Sequence, residues 1–409
     1  MLMVARRADS AGLTQVLVLR TLACATVALA PLEGYLLRVH GQLAKLAPAL
    51  LALAWVVVRV RQRLAPRRHP VHVVLALFAV VLLASSAVHA GGPYTLDYTV
   101  RWLPFLALTV ILIDLADREV PGRLLVAAAV AGAAVAAGAA LVAMLVLGQS
   151  RASGPLEDPN DLAYFLVAAI PLLVALPVRR ELRALPAVAA VVLVAGAAAT
   201  FSRGGAIALA LATAWLVLRR ALPVRVLGYA LGALLVLGAA AALLAGPRLE
   251  KSLGEKSFIA ASNVDTRELR WQAAARMFAD NPVLGVGPGG FREHYAAMSH
   301  NAEISEQTPV AHDMYLEVGA ELGLAGLVLF FALLAVAATS TVATQRVLRA
   351  RGDPRPAVAV QAAMVAVVVA SAFLSQQYYL PLWLLIALAV AGDLRVRRKE
   401  GNRHCACSM

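Results

Sequence analysis

The chain has 409 residues, 61% of them hydrophobic, a formal net charge of +13 and a mean hydropathy of +0.76. That composition excludes a soluble domain. Its continuous Ala/Leu-rich runs also exclude a β-barrel, whose strands would alternate apolar and polar residues, and leave an all-α polytopic membrane protein.

About twelve apolar runs of membrane-spanning length are expected: residues 13–30, 43–60, 71–89, 101–115, 123–147, 160–177, 185–200, 204–218, 224–245, 322–343, 357–374 and 379–393. Those at 101–115 and 204–218 are the shortest and invite a tilt or a break. The runs divide the chain into nine spans with short loops (1–245), one large polar helical segment (246–321), three further spans (322–393) and a basic tail (394–409). Basic residues fall in alternate short loops: Arg6-Arg7, Arg61 to Arg68, Arg179-Arg180, Arg219-Arg220, Arg346 to Arg355 and Arg395 to Lys399. The positive-inside rule makes that side cytoplasmic and puts both termini there. The charge is thus a topology signal in contact with membrane lipids, not a nucleic-acid footprint. The first run reads as an anchor, because it lacks a cleavage context. Cys24 lies in the first span, with Cys405 and Cys407 in a tail read as disordered, where a structural disulfide is not expected.

The helices themselves read as scaffold. Residues 127–143 are nearly all Ala, Val and Gly, giving faces that let backbones approach closely in lipid. Buried ionisable residues within the spans look few, Arg20 being the clearest. No proton relay or pair of broken helices is evident, which argues against transport.

Polar chemistry gathers instead in the loops opposite the basic ones. In Arg151-Ala-Ser-Gly-Pro-Leu-Glu-Asp-Pro-Asn160, Asp158 and Pro159 read as the cap and first residue of a helix, an end suited to anions with Arg151 upstream. The turn Thr200-Phe-Ser-Arg-Gly-Gly205 presents Arg203, whose guanidinium can grip phosphate with paired donors. Asp265-Thr-Arg-Glu268 opens an amphipathic helix to Asp280, with Arg267 and Arg270 on one face and Trp271, Ala274, Ala275 and Phe278 as apolar contacts. The run Gly285-Val-Gly-Pro-Gly-Gly290 has the spacing of a dinucleotide fingerprint but no βαβ context, so it reads as a turn allowing close backbone packing. His312 and Tyr315 share a helical face at the return to apolar sequence, where an imidazole can act as a base near neutral pH.

These pieces resemble the O-antigen ligase family, within the O-antigen ligase/polymerase superfamily of bacterial envelope glycosyltransferases. The matching elements are Arg151 to Asn160, the Ser-Arg-Gly-Gly turn at 202–205, Arg267 with Trp271, and the Pro-x-x-Gly-x-Gly-x-Gly block at 282–289. The most discriminating is His312, Asp313, nine residues, then Gly323 and Gly326. The family usually has Asn, Ser or Gln where this chain has Asp313, so that acid either orients the imidazole or faces water. The resemblance implies a GT-C-like fold in the inner membrane of a Gram-negative bacterium, an active site on the periplasmic face, and no metal or cofactor. Its donor would be a polysaccharide on undecaprenyl diphosphate and its acceptor a sugar hydroxyl of lipid A–core.

On these residues His312 is the expected general base. Arg203 and Arg267, with Arg151, are the expected diphosphate ligands; Asp313, Tyr315, Arg270 and Asn160 are possible supports. With no carboxylate nucleophile in sight, direct displacement would invert the anomeric centre. Alternatives are a polymerase or protein O-oligosaccharyl ligase of the same superfamily, or, in another class, a flippase for lipid-linked glycans.

Overall fold

A computed structural model describes residues 2–156, 158–177, 184–226, 266–303 and 309–407, with a few isolated positions between 227 and 240. Among these residues the structure is all-helical, without strands. The helices are α1 (Leu2–Leu29), α2 (Glu33–Val39), α3 (Leu43–Gln62), α4 (Pro70–Val88), α5 (Thr95–Arg118), α6 (Gly122–Leu145) and α7 (Pro159–Leu172). They continue with α8 (Ala184–Ala199), α9 (Arg203–Leu218), α10 (described over 266–280), α11 (Gly290–Met298), α12 (Met314–Ala350), α13 (Arg355–Ser371) and α14 (Leu380–Cys407). Helices thus stand at eleven of the twelve expected positions; most of 224–245 lies outside the described residues.

Among the described residues, six helical stretches are long and apolar enough to cross a membrane: 13–39, α3, α4, α5, α6 and α12. Four others (159–175, α8, α9 and α13) are apolar but shorter. The 204–218 run is short as expected, whereas the run at 101–115 belongs to a 24-residue helix. The tail was expected to be disordered, yet α14 carries helical backbone through to Cys407.

The packing follows from side-chain size. α6 buries Gly132, Ala133, Ala136, Ala137 and Ala140 on one stripe, so α1, α7 and α8 close directly on it. At Gly132 a Cβ would fall 2.1 Å from the Ala28 carbonyl oxygen, so α1 and α6 touch backbone to backbone. Elsewhere α9 lies along α13, α14 along α5 and α12, and α4 along α12.

The two ends of the bundle differ. At the basic end, Arg59 pairs with Asp114 and, at 2.7 Å, with Glu119; Arg118 reaches Asp114 at 2.8 Å. His69 meets Asp393 at 3.3 Å, and Arg20 donates to the Glu119 carbonyl at 2.6 Å. The expectation that buried ionisable residues in the spans are few, with Arg20 the clearest, is therefore corrected. Arg59, Asp114, Asp117 and Asp393 are all more deeply buried, with partners on other segments of the chain. Arg59, Asp114 and Asp117 lie close to helix ends, and Asp393 at the end of the 379–393 run, so each reads in sequence as a solvated terminus. Only packing brings their partners within reach.

At the opposite end the segments leading into α5, α7, α9, α12 and α14 meet. Arg151 donates to the Thr200 carbonyl at 2.9 and 2.8 Å, Ala152 N–H to Ala199 at 3.1 Å, and Tyr379 to Asp161 at 2.7 Å. Ser85, near the end of α4, donates to the Leu284 carbonyl at 2.8 Å.

The long helix α12 is broken at Gly323 (φ 63°, ψ −165°). A break leaves backbone groups without intrahelical partners, which in an apolar bundle must be satisfied by other protein groups. The 282–287 loop supplies them. Leu324 N–H donates to Pro282 O at 2.7 Å and Ala325 N–H to Val283 O at 3.4 Å. In return, Val286 and Gly287 N–H donate to Ala320 and Glu321 carbonyls at 2.9 and 3.0 Å. The Pro-x-x-Gly-x-Gly-x-Gly block and the Gly323/Gly326 pair, far apart in sequence, are thus two halves of one joint. The close-packing reading of the glycine run is borne out: a Cβ on Gly285 would lie 2.4 Å from the Glu321 carbonyl carbon.

Candidate active site at the loop end of the bundle

α10 and α11, with Val286 and Ala311 from the loops and Ala320 from α12, build a small core separate from the main one, from Ala273, Ala274, Met277, Val286, Phe291, Tyr295, Ala311 and Ala320. The buried stripe of α10 is Arg270, Ala273, Ala274 and Met277. This corrects the apolar face expected from the sequence, since Ala275 is exposed and Trp271 and Phe278 are only partly covered. The stripe is rotated because Arg270 turns inward to an ion pair. Asp265, the expected cap, lies outside the described residues.

The core carries the turn at His312. Ala311 is fully buried in it, and His312 follows with φ of 52°, in the left-handed region that side chains with a Cβ rarely adopt. Asp313 then caps α12, its Oδ1 accepting from the N–H groups of Tyr315 and Leu316 at 2.9 and 3.0 Å. That is the structural use of the acid at this position, and it aims the His312 turn relative to the helix.

His312 is half-buried. Burial, then the nearby charges of Arg267 and Arg270, push its imidazole down to about 4, with Asp158 and Glu317 pulling the other way. The ring is therefore neutral and can accept a proton at any pH well above that value. Arg267 feels the same neighbourhood: burial lowers its guanidinium, the Asp158 charge opposes this, and Arg270 adds to it. Asp158 is the N-cap of α7, accepting from Asn160 N–H at 2.8 Å, with Pro159 at the first helical position. The helix start read from Asp158-Pro159 is thus present, and its positive end lies in the field of His312, Arg267 and Arg151.

The remaining expected site residues divide by what they touch. Arg151 spends donors on Thr200 O and, at 3.5 Å, on Asn160 Oδ1, so this pair ties the loop before α7 to the turn before α9. Arg203 is the first residue of α9, exposed, on a turn capped by Ser202. It is not among the principal charges acting on His312. Arg270 is held by Glu303 at 3.0 Å through two nitrogens and lies 5.9 Å from the Tyr295 ring centroid. Tyr315 packs within the bundle, donating to Val368 O at 2.6 Å and stacking on Phe331 with centroids 5.4 Å apart. The structure therefore brings His312, Arg267, Arg270 and Asp158 together, with Arg151 and Asn160 alongside and Arg203 one turn away in the chain from Thr200.

Three participants are not legible in the sequence: Asp158 reads there only as a cap, and Glu317 and its partner Arg292 carry no motif. Spacing offers a faint signal for Glu317, one helical turn beyond Asp313, and none for Arg292.

An apolar multi-helix bundle, capped at one end by a loop cluster bearing an imidazole among guanidiniums, defines a multi-pass membrane protein with a polar site at its end. Residues 188–331 match the O-antigen ligase family model. That segment carries Arg203, Arg267, His312, Gly323 and Gly326, and is the part of the chain that is similar to O-antigen ligases. Arg151 and Asn160 lie before it. No curated protein matches the chain.

Proposed function

We propose that the chain is an O-antigen ligase. It would transfer polysaccharide from undecaprenyl diphosphate to a sugar hydroxyl of lipid A–core, without a metal or cofactor. The observation that carries this reading is a neutral imidazole, His312, held in the field of Arg267 and of the capped start of α7 at the end of an apolar bundle. Both substrates are lipid-anchored, and an end-of-bundle site is where their headgroups meet. Twelve spans in a GT-C-like arrangement, with the site periplasmic and both termini cytoplasmic, complete the reading. It is supported by the helices at eleven expected positions and by the clustering of basic loops at the other end.

In this mechanism the acceptor oxygen attacks the anomeric carbon as its proton passes to the unprotonated ring nitrogen of His312. The bond from that carbon to the diphosphate oxygen breaks, and its electron pair leaves with undecaprenyl diphosphate. Arg267 and Arg203 stabilise the charge on the leaving group, with Arg151 and Asn160 bracing the loops that hold them. Single displacement inverts the anomeric centre. A bound diphosphate also offsets the two arginines that depress His312, so donor binding strengthens the base. Arg270 acts through Glu303 and the α10 core, and Asp313 through the cap.

Arg203→Lys keeps the charge but loses the planar fork. Ligation by the purified chain is expected to fall at least tenfold, roughly the effect of one lost charge-assisted hydrogen bond of about 1.5–3 kcal/mol; undiminished turnover would assign Arg203 to headgroups or topology instead. Ligation is expected to persist in excess chelator with no divalent ion added. Restoration by added Mg²⁺ or Mn²⁺ after chelation would refute the metal-free mechanism. A flippase would move labelled donor across vesicles but form no new glycosidic bond in this assay.

A further inference from the structure

We propose that Glu317 is a positioning residue for His312: its buried carboxylate clamps the left-handed turn that carries the imidazole, and Arg292 holds that carboxylate in place. The inference rests on the reading of His312 as the base. Glu317 is fully buried, a costly place for a carboxylate unless its oxygens are occupied. They are occupied from three separate segments. Ala311 N–H, the residue before His312, donates to Oε2 at 3.0 Å. From the α13–α14 link, Ser375 donates to Oε2 and Gln377 to Oε1, the latter at 2.9 Å. Arg292, on α11, reaches Oε1 at 3.4 Å; its side chain is only 7% exposed, 3.5 Å from Glu321 and with its guanidinium 4.2 Å from the Tyr98 ring centroid.

The turn needs such a clamp. A residue with a Cβ persists at positive φ only where its surroundings over-determine the backbone. His312 is held after itself by the Asp313 cap and before itself by the Ala311–Glu317 bond. Without the second hold the turn can relax and swing the ring away from the acceptor. Glu317 also belongs to the charge set facing His312, with Arg267 and Arg270 on α10, Asp158 before α7 and Glu303 after α11. Its removal changes the ring's proton affinity as well as its position.

The test compares Glu317→Gln, Ser375→Ala and His312→Ala with the unmodified chain, purified in detergent. Each is assayed with an undecaprenyl-diphosphate-linked glycan and lipid A–core, and the folded fraction is measured by gel filtration. For Glu317→Gln, kcat per folded molecule is expected to fall at least tenfold with KM for the donor within twofold. The acid limb of its pH profile should move to lower pH, because a negative charge beside the imidazole is gone. Ser375→Ala keeps that charge and loosens one hold, so a several-fold loss in kcat with an unmoved acid limb is expected, and it serves as the test should Glu317→Gln not fold. If the folded variants turn over normally while His312→Ala is inactive, the clamp is refuted and the base assignment stands. A loss that only tracks the folded fraction, with an unmoved pH profile for Glu317→Gln, refutes it equally. If His312→Ala is active, the base assignment falls and the clamp with it.

Discussion

His312→Ala is expected to lower kcat for ligation about 10²- to 10⁴-fold, the usual range for removing a positioned general base. Folding and membrane insertion should be unchanged, because the ring is half-buried at a turn whose backbone is held by its neighbours, not by the imidazole. The pH dependence sharpens the prediction. With the ring pushed down to about 4 by burial and by Arg267 and Arg270, protonation removes the base only in strong acid. The acid limb of kcat/KM should therefore lie near that value, well below the ordinary range for histidine. In the donor complex the diphosphate screens the same arginines, so the acid limb of kcat should lie higher. An acid limb that is unaltered in His312→Ala, or activity equal to the unmodified chain, would remove His312 from the mechanism.

Gly323→Ala is expected to be the most damaging small substitution outside the chemistry. The φ of 63° and ψ of −165° at this break belong to a region essentially reserved for glycine. Forcing a Cβ there costs on the order of 1–3 kcal/mol before any contact is considered. The new Cβ would also sit 2.4 Å from the Val283 carbonyl carbon and 2.7 Å from Gly285 N, backbone atoms that cannot rotate away. Because the four hydrogen bonds of the joint depend on that approach, the 282–287 loop must lift and expose them. A drop of roughly 3 kcal/mol or more in unfolding free energy follows, read as a lowered unfolding temperature in detergent and a poor folded yield. Gly41→Ala is the control: nothing lies within 4 Å of its added Cβ, so a change within about 0.5 kcal/mol is expected. Equal behaviour of the two variants would mean that the joint does not hold the structure together.

Much of this molecule is legible in one dimension. Runs of apolar residues place helices, because hydropathy and length are properties of a contiguous segment. Asp158-Pro159 marks a helix start, since a cap bonds to the backbone only two or three residues on. The glycine run announces close packing, although nothing in it says against what. Arg267 and His312 could be proposed as partners only through resemblance to a family, because 45 residues separate them and no period links the two. Asp313 shows the limit from the other side. A residue one position from a supposed base invites a chemical role, and its use as the α12 cap appears only once the backbone direction is known.

The amino-acid sequence alone determined the class of protein, nearly every helix position and the residues with chemistry to offer, because each of these rests on local composition, spacing or capping. The tertiary structure alone decided that the 282–289 loop closes the break at Gly323 and that Arg270 turns inward to Glu303. It also decided that Arg59 and Glu317 are buried among partners, and that His312 stands in the field of Asp158 and Arg267. Those are relations between segments tens to hundreds of residues apart. Their energies depend on distance in space, and only helix packing sets it.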